Sequence, residues 1–179
     1  FQPDGTNLFI SGAAGLERWP VDLDPATGEL KLGPPERLWP SALACASLSR
    51  SGDILVAASA VRIAVLAFNL ARLDPPKVLT GLAHVGTVSI SGDGRLVAGG
   101  TWKGTGVAVW EIQSGKLVKQ LPVTGSAAVA FSPDGEWLAT SNGEECRLWH
   151  TGTWAPGRPI PRNRATDLPG QLAFAPDGA

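Results

Sequence analysis

The chain has 179 residues and a formal net charge of −1 at pH 7, which excludes a strongly basic nucleic-acid-binding protein. Hydrophobic residues make up 44% of the chain and charged residues 17%, as in a globular rather than a disordered protein. The 22 glycines and 15 prolines suit many short strands joined by turns, and two cysteines are too few for a disulfide framework. The sequence contains no methionine, and we expect it to be a piece of a longer polypeptide.

A five-residue turn motif recurs along the chain at nearly constant spacing. In its clearest copy, Phe-Ser-Pro-Asp-Gly at 131–135, proline presets φ and glycine supplies the left-handed conformation. Related copies stand at 1–5, 48–52, 90–94 and 174–178, and the final glycines of successive copies are 47, 42, 41 and 43 residues apart. A turn repeated at a period of about forty predicts a repeat architecture built of β-hairpins. The residues expected to shape these turns are Pro3, Asp4, Gly5, Gly52, Asp93, Gly94, Pro133, Asp134, Gly135, Pro176, Asp177 and Gly178.

Each repeat divides into four strands by one template. The strand of small and apolar residues after each turn is predicted at 8–10, 54–59, 96–98 and 137–141. The next strand ends at or near an aromatic residue and is predicted at 16–19, 62–68, 107–110 and 147–149. After a second turn (24–28, 73–76, 113–115 and 151–152) comes a more polar strand, clearest at 116–121. The last strand leads into the next turn and is predicted at 42–48, 87–91, 127–131 and 171–175.

Four-stranded sheets packed radially at this period describe a β-propeller. The predicted fold class is therefore all-β, a propeller segment of four four-stranded antiparallel blades. One run, 54–73, is also long and apolar enough to pass as a membrane helix, with Arg62 and Arg72 as its only charged residues. The run coincides with two buried strands of the second repeat, which favours strands over membrane insertion.

The turns and the strand-ending aromatics resemble those of the WD-repeat β-propeller family over essentially the whole chain. The repeated aromatics are Trp19, Phe68, Trp110 and Trp149, and they are expected to be core residues. The family's Trp-Asp dipeptide stands here as Trp-Pro, Trp-Glu and Trp-His, and its Asp–His–Ser/Thr–Trp tetrad cannot be carried over to any repeat. The resemblance implies that residues 1–179 form one segment of about four repeats, within a ring of seven or eight blades.

Degenerate repeats of this kind resemble those of bacterial signalling proteins, where they often follow a serine/threonine kinase domain. The resemblance implies a non-catalytic scaffold for protein–protein interaction, with a protein or peptide as its partner and the cytoplasm as its favoured location. Two alternatives stay open. One is a ligand-binding or enzymatic propeller with its site in the axial channel, and the other is a sensor or spacer domain fused to a kinase.

Motifs for catalysis, cofactors or metals are sparse. The chain has none of the common nucleophile, zinc or phosphate-loop patterns, so no enzyme activity, cofactor or metal is predicted. The glycine-rich run 99–106 is interpreted as a flexible loop between strands, because no helix follows it to hold a phosphate. His84 is interpreted as a structural residue and His150 as an exposed turn residue, while Cys45 and Cys146 are predicted to be unreactive.

The candidate contact surface combines loop aromatics with nearby cations. In the WD-repeat family the loops that hold Trp39 and Trp102 open on one face of the ring, and aromatic side chains in loops are good anchors for a partner. The predicted partner-binding residues are Trp39, Trp102, Lys103, Arg162 and Arg164. The competing interpretation is that the indoles cover blade edges and the cations are merely solvated. A segment of four blades also leaves open edges, so self-association is a second expected interaction.

Overall fold

The computed structural model describes residues 1–61, 64–72, 74–104, 106–163 and 168–175. Over these ranges the chain forms sixteen short β-strands and no helix. The strands are β1 (Asn7–Gly12), β2 (Gly15–Leu23), β3 (Leu30–Leu32), β4 (Glu36–Trp39), β5 (Leu43–Leu48), β6 (Ile54–Ser59), β7 (Val65–Asn69), β8 (Lys77–Leu79), β9 (Val85–Ile90), β10 (Leu96–Thr101), β11 (Val107–Glu111), β12 (Leu117–Leu121), β13 (Ala128–Phe131), β14 (Trp137–Ser141), β15 (Glu145–His150) and β16 (Ile160–Pro161). No helix in this part of the chain has the length and hydropathy that a membrane crossing requires.

The strands form four antiparallel sheets of four strands each, which we call blades I to IV. Blade I holds β1–β4, blade II β5–β8, blade III β9–β12 and blade IV β13–β16. In blades II to IV each strand pairs with the next one along the chain. In blade I, β3 and β4 both pair with β2 and share its free edge between them. The predicted fold class, all-β with four four-stranded antiparallel blades, is confirmed.

The blades pack face to face, with their first strands side by side at the centre. β5 lies against β9, and β9 lies against β13. Serine hydroxyls join these strands, since Ser47 Oγ accepts from the Ile90 amide at 3.3 Å and Ser89 Oγ accepts from the Phe131 amide at 2.9 Å. Three clusters of buried hydrophobic residues fill the junctions I–II, II–III and III–IV. This is the radial stacking of propeller blades.

The recurring turn joins the first and second strands of blades II to IV and precedes β1 in blade I. Its glycines lie in the left-handed region, with φ between 72° and 80° at positions 5, 52, 94 and 135. In blade IV the Ser132 hydroxyl donates to Asp134 Oδ1 and accepts from the Trp137 amide at 3.0 Å, which closes the turn. Blade III repeats this arrangement with Ser91, Asp93 and Leu96. The predicted turn residues Pro176, Asp177 and Gly178 lie outside the described residues.

We expect the turn aspartates to make the stability of the chain sensitive to acid. Hydrogen bonds from the Ser132 hydroxyl and the Glu136 amide hold the pKa of Asp134 below its ordinary value of 3.8. At Asp93 burial alone would raise the pKa, but the Ser91 hydroxyl, the Arg95 amide and the Arg95 charge outweigh it and the net shift is downward. A carboxylate with a lowered folded-state pKa stabilises the fold above its unfolded-state pKa. That contribution disappears as the pH falls through the folded-state value.

We therefore expect the Asp134→Asn variant to unfold at a lower temperature than wild type. The difference between the two midpoints should be largest at neutral pH. The difference should begin to shrink as the pH falls below the unfolded-state pKa of about 4, and it should disappear once the pH has fallen through the lower folded-state pKa, because the wild-type carboxyl is then neutral like the amide. Circular dichroism tests this by measuring the unfolding midpoints of both proteins from about pH 7 down to about pH 2.5. The lower limit is roughly one pH unit below the pKa of an aspartate in an unfolded chain. Asp22→Asn, an exposed change outside the turns, is the control. A wild-type-to-variant difference that stays constant over this range would contradict the expectation.

The repeated aromatics occupy one position in the register of every blade. The cross-strand pairs are Leu8 with Trp19, Leu55 with Phe68, Val97 with Trp110, and Leu138 with Trp149. Phe68, Trp110 and Trp149 are buried, each in the cluster between its own blade and the preceding one. Trp19 is half-buried, because blade I has no preceding blade among the described residues.

The strand predicted at 171–175 is wrong. These residues form no strand, although they lie along blade IV where the first strand of a further blade would lie. The Gly170 amide donates to Ser141 Oγ at 3.2 Å, and Phe174 and Phe131 both line the cavity at the centre of the blades. The described part of the chain offers this segment no second strand to pair with, which is why it is not part of a sheet.

The interpretation of run 99–106 as a flexible loop is wrong at its start. Gly99 and Gly100 belong to β10 and pair with β9 and β11. A Cβ at Gly100 would stand 2.2 Å from the Ala127 carbonyl oxygen, and one at Gly99 would stand 3.1 Å from the Trp110 ring. Gly99 therefore serves close packing within blade III, and Gly100 serves the close approach of the segment that enters blade IV.

The turn before the outer strand of blade IV includes the predicted residues 151–152 and extends to Trp154. In blades I and III this turn ends at Gly28 and Gly115, both with positive φ. The corresponding residue in blade IV is Trp154, with φ of 57°, whose amide donates to the His150 carbonyl at 2.6 Å. Its indole packs against the III–IV cluster, which offsets the unfavourable backbone conformation.

The apolar run 54–73 forms β6 and β7 rather than a continuous helix. The second of these strands starts at Val65, three residues later than the predicted 62–68, and residues 62 and 63 lie outside the described ranges. His150 is the last residue of β15 and not an exposed turn residue. It is half-buried, with its ring edge-on to Trp137 at 5.3 Å.

Candidate functional site

One face of the blades carries two sets of loops that are bonded to each other. The loop after the second strand of each blade meets the loop that enters its first strand. The bonds run from the Ala60 amide to the Ala42 carbonyl (3.0 Å), from the Trp102 amide to the His84 carbonyl (2.8 Å), and from Asn142 Nδ2 to the Thr124 carbonyl (3.1 Å). In each pair the residues are 18 positions apart, so the bridge is repeated in blades II, III and IV. We call this surface the loop face.

Trp102 is the most prominent aromatic side chain on the loop face, with 52% of its surface exposed. Its backbone is held on both sides, because its amide donates to His84 and its carbonyl accepts from the Ser126 hydroxyl. Gly86 makes room for it, since a Cβ at Gly86 would stand 2.7 Å from the Trp102 Cβ. An exposed indole on a fixed backbone loses little conformational entropy when it binds, which suits a contact residue.

Two cavities lie on either side of Trp102 and Lys103. The cavity between blades II and III has a volume of about 530 Å³ and is lined further by Val61, Val85 and His84. None of the described residues that line it is acidic. The cavity between blades III and IV has a volume of about 390 Å³ and a more polar lining, which includes Glu144. Trp102 and Lys103 line both cavities, but only the first cavity places the aliphatic residues Val61 and Val85 beside them.

His84 supports this site with an unusual backbone conformation. Its φ is 54°, in the left-handed region that non-glycine residues seldom adopt, and its side chain is exposed. Its carbonyl is the acceptor for the Trp102 amide. Backbone strain of this kind is often found at binding sites. The sequence interpretation treated His84 as structural only, and the 18-residue spacing from His84 to Trp102 is the signal that would have linked them.

The structure brings together two of the five residues predicted to contact a partner. Trp102 and Lys103 are adjacent and exposed on the loop face. Trp39 is half-buried, with its ring edge-on to Phe68 at 5.9 Å in the I–II cluster. Arg162 donates to the carbonyls of Asn142 and, at 3.3 Å, Leu168, so its guanidinium holds the chain against blade IV. Arg164 lies outside the described residues.

Two further concave surfaces differ in the charge of their linings. The cavity at the centre of the blades has a volume of about 330 Å³ and is lined by the apolar ends of the first strands, with Arg50 as the only charged lining residue among those described. A second cavity between blades II and III, on the turn side, has a volume of about 450 Å³ and is lined by charges of both signs, which are Arg72, Asp74, Lys77, Arg95 and Glu111. Within the described ranges, no three His, Cys, Asp or Glu residues are placed to hold a metal ion.

The two cysteines also have structural surroundings. Cys45 is half-buried against the II–III cluster, and burial raises the pKa of its thiol despite hydrogen bonds from the Ala58 and Val88 backbone. A raised pKa lowers the thiolate fraction at neutral pH, which disfavours a nucleophilic role. The Cys146 thiol donates to Ser141 Oγ at 3.3 Å.

No family model matches the chain, and no curated protein matches it. Among solved structures, the chain is similar to hydrazine synthase of Kuenenia stuttgartiensis, with a TM-score of 0.67 and 18% sequence identity. The similarity covers 76% of this chain and 40% of that chain, so the present chain corresponds to less than half of its length. At this identity the likeness shows the fold alone, and it agrees with the propeller-like stacking of the four blades.

Proposed function

We propose that the chain is part of a non-catalytic WD-repeat scaffold that binds a protein or peptide partner through its loop face. The observation that carries the proposal is Trp102, an exposed indole on a backbone fixed from both sides, next to Lys103 and above the apolar wall of the II–III cavity. The cavity at the centre of the blades is largely apolar, which favours a scaffold over axial-channel catalysis.

Membership of the WD-repeat family is supported by three features of the blades. They are the repeated turn with its left-handed glycine, the aromatic residue at one register position in all four blades, and the four-stranded radial stacking. A role in a larger bacterial signalling protein rests on the resemblance to degenerate bacterial repeats and is an analogy at the level of the fold.

The chemistry of the site indicates the kind of partner. Trp102 and Val61 offer apolar contact area, and Lys103 is the only charged side chain on the lining of the II–III cavity among the described residues. A large aromatic anchor is the commonest centre of a binding surface, and a cation beside it favours a partner that carries a carboxylate. We expect the bound segment to place an apolar side chain against Trp102 and an acidic one beside Lys103.

A random-sequence peptide library displayed on phage tests this when it is selected on the wild-type chain. We expect recovered peptides to share an apolar residue next to an acidic one. In fluorescence anisotropy, Trp102→Ala should weaken their binding by roughly 10- to 100-fold, the effect of a residue worth about 2 kcal/mol or more. Lys103→Glu should weaken binding and reduce its dependence on salt, because it removes the attraction for the carboxylate.

Two matched changes, one on the outer strand β12 and one just before it, serve as controls for this experiment. Val118 is 46% exposed, and Lys116 is an exposed cation in the turn that precedes β12. Neither residue lines the cavities beside Trp102, so Val118→Ala and Lys116→Glu should leave peptide affinity unchanged. Selection that enriches no peptide, or peptides that bind Trp102→Ala as tightly as wild type, would rule out the loop face as the binding surface.

A further inference from the structure

The turn side of the junction between blades II and III holds a cavity of about 450 Å³, which we call the turn-side cavity. It lies at the opposite end of the strands from the loop face, since β6 begins at Ile54 on this cavity and ends at Ser59 on the loop-face cavity. Ile54 and Ile112 give it an aliphatic floor, because both line it and both pack against the buried II–III cluster. A concave surface of this volume with an apolar floor has the usual form of a small-molecule site.

Each of the two blades contributes one arginine to the lining of this cavity. Arg72 lies in the loop between β7 and β8 of blade II, and Arg95 lies in the recurring turn between β9 and β10 of blade III. The Arg72 amide donates to Asn69 Oδ1 at 3.1 Å, which fixes its backbone. The Arg95 carbonyl accepts from the Ile112 amide at 2.9 Å. Both side chains therefore start from defined positions on either side of one cavity.

The guanidinium groups of these two arginines have no bonded partner. Neither forms a hydrogen bond or an ion pair within the part of the chain that the structure describes. Arg95 interacts electrostatically with Asp93, but the Asp93 carboxylate is bonded to the Ser91 hydroxyl at 2.6 Å and does not line the cavity. Two like charges that face one concave space attract an anion into it.

The other charged side chains on the lining leave this positive charge uncompensated. The Lys77 ammonium donates to the Gln113 carbonyl across the junction, and the Glu111 carboxylate accepts from the Ser114 hydroxyl at 2.6 Å. Asp74 is exposed and forms no ion pair among the described residues. The lining therefore carries three cations against two carboxylates, and its two unbonded cations come from opposite blades.

We propose that the turn-side cavity binds a small organic anion, a carboxylate attached to an apolar body. The apolar body lies on Ile54 and Ile112, and the carboxylate lies between Arg72 and Arg95. A guanidinium group presents its donors in a planar fork that matches the two oxygens of a carboxylate, which makes arginine the usual residue for this recognition. The cavity shares no lining residue with the loop-face cavities, so the site is independent of the proposed function.

Nuclear magnetic resonance of the isotope-labelled chain tests this with phenylpropionate as the probe. We expect saturable amide shifts at the residues that line the turn-side cavity, and much weaker binding of phenylpropylamine, which has a similar body and the opposite charge. Arg72→Gln and Arg95→Gln should each raise the dissociation constant for phenylpropionate by roughly tenfold, the loss of one charge-assisted hydrogen bond. Arg158→Gln, at an exposed position between β15 and β16, is the matched control and should leave the affinity unchanged.

Several results of this titration would overturn the proposal. They are the absence of saturable shifts at about 10 mM probe, roughly ten times the dissociation constant of a millimolar ligand, an equal affinity for the amine, and arginine variants that bind as tightly as wild type. Shifts at Trp102 and Lys103 instead would place the anion on the loop face. Circular dichroism of each variant confirms that it is folded. Peptide binding at the loop face is measured with other variants, so its outcome and this one are separate.

Discussion

Replacing Trp110 with alanine is expected to lower the free energy of unfolding by about 3–5 kcal/mol, the usual cost of removing a large buried aromatic ring. Trp110 is 1% exposed and lies in the cluster between blades II and III. Its Nε1 also donates to the Thr80 carbonyl at 2.7 Å, a bond that joins blade III to the loop after β8. The substitution therefore removes both the packing and the hydrogen bond that hold two blades together.

Thermal and urea unfolding followed by circular dichroism measure this effect. For a chain of this size, a loss of about 3–5 kcal/mol corresponds to a fall of roughly 6–20 °C in the unfolding midpoint. Trp110→Phe is the informative companion, because it keeps an aromatic ring but leaves the Thr80 carbonyl without its donor. We expect the lost hydrogen bond to cost about 0.5–1.5 kcal/mol, the usual net contribution of a hydrogen bond, because Thr80 is an exposed residue. A Trp110→Ala protein as stable as wild type would show that packing at the II–III junction contributes little to the free energy of unfolding.

The fold class was predictable from the sequence because its signals are local. The proline, aspartate and glycine of each turn act through their own backbone preferences, so position 135 indicates a hairpin without reference to the rest of the chain. Within each period of about forty residues, two apolar strands, the second of which ends near an aromatic residue, fix the positions of the remaining two strands of the blade. The segment 171–175 has the same local signals, yet it forms no strand among the described residues. A strand also requires a partner edge, which is not a property of the segment itself.

The candidate site was less predictable, because exposure is decided by tertiary packing. Trp39 and Trp102 are both tryptophans in or beside loops, and the sequence gives no reason to separate them. The structure turns Trp39 onto Phe68 of the next blade, whereas Trp102 lies on the loop face with 52% of its surface exposed. The same limit applies to Trp154, which takes the left-handed position that glycine holds in blades I and III. Propensity favours glycine there, and packing of the indole against the III–IV cluster overrides it.

Gly100→Ala is expected to destabilise the chain by about 1–3 kcal/mol or more, the range found for overpacked cores. A Cβ at this position would stand 2.2 Å from the Ala127 carbonyl oxygen and 2.8 Å from Thr87 Oγ1. These two atoms are hydrogen-bonded to each other, since Thr87 Oγ1 donates to the Ala127 carbonyl at 3.0 Å. The Ala127 backbone is held further by its amide, which donates to the Thr101 carbonyl at 2.8 Å. The methyl group can therefore be accommodated only if blades III and IV move apart.

Gly12→Ala is the matched control for this substitution. Gly12 is also in a strand, β1, and nothing lies within 4 Å of the Cβ that alanine would add there. It should leave the unfolding midpoint unchanged or raise it slightly, because alanine lowers the conformational entropy of the unfolded chain. The contrast separates a general effect of losing glycine from the specific contact between blades. Equal midpoints for the two variants in thermal unfolding would mean that the Ala127 carbonyl yields easily, and that the close approach of blades III and IV at Gly100 contributes little to stability.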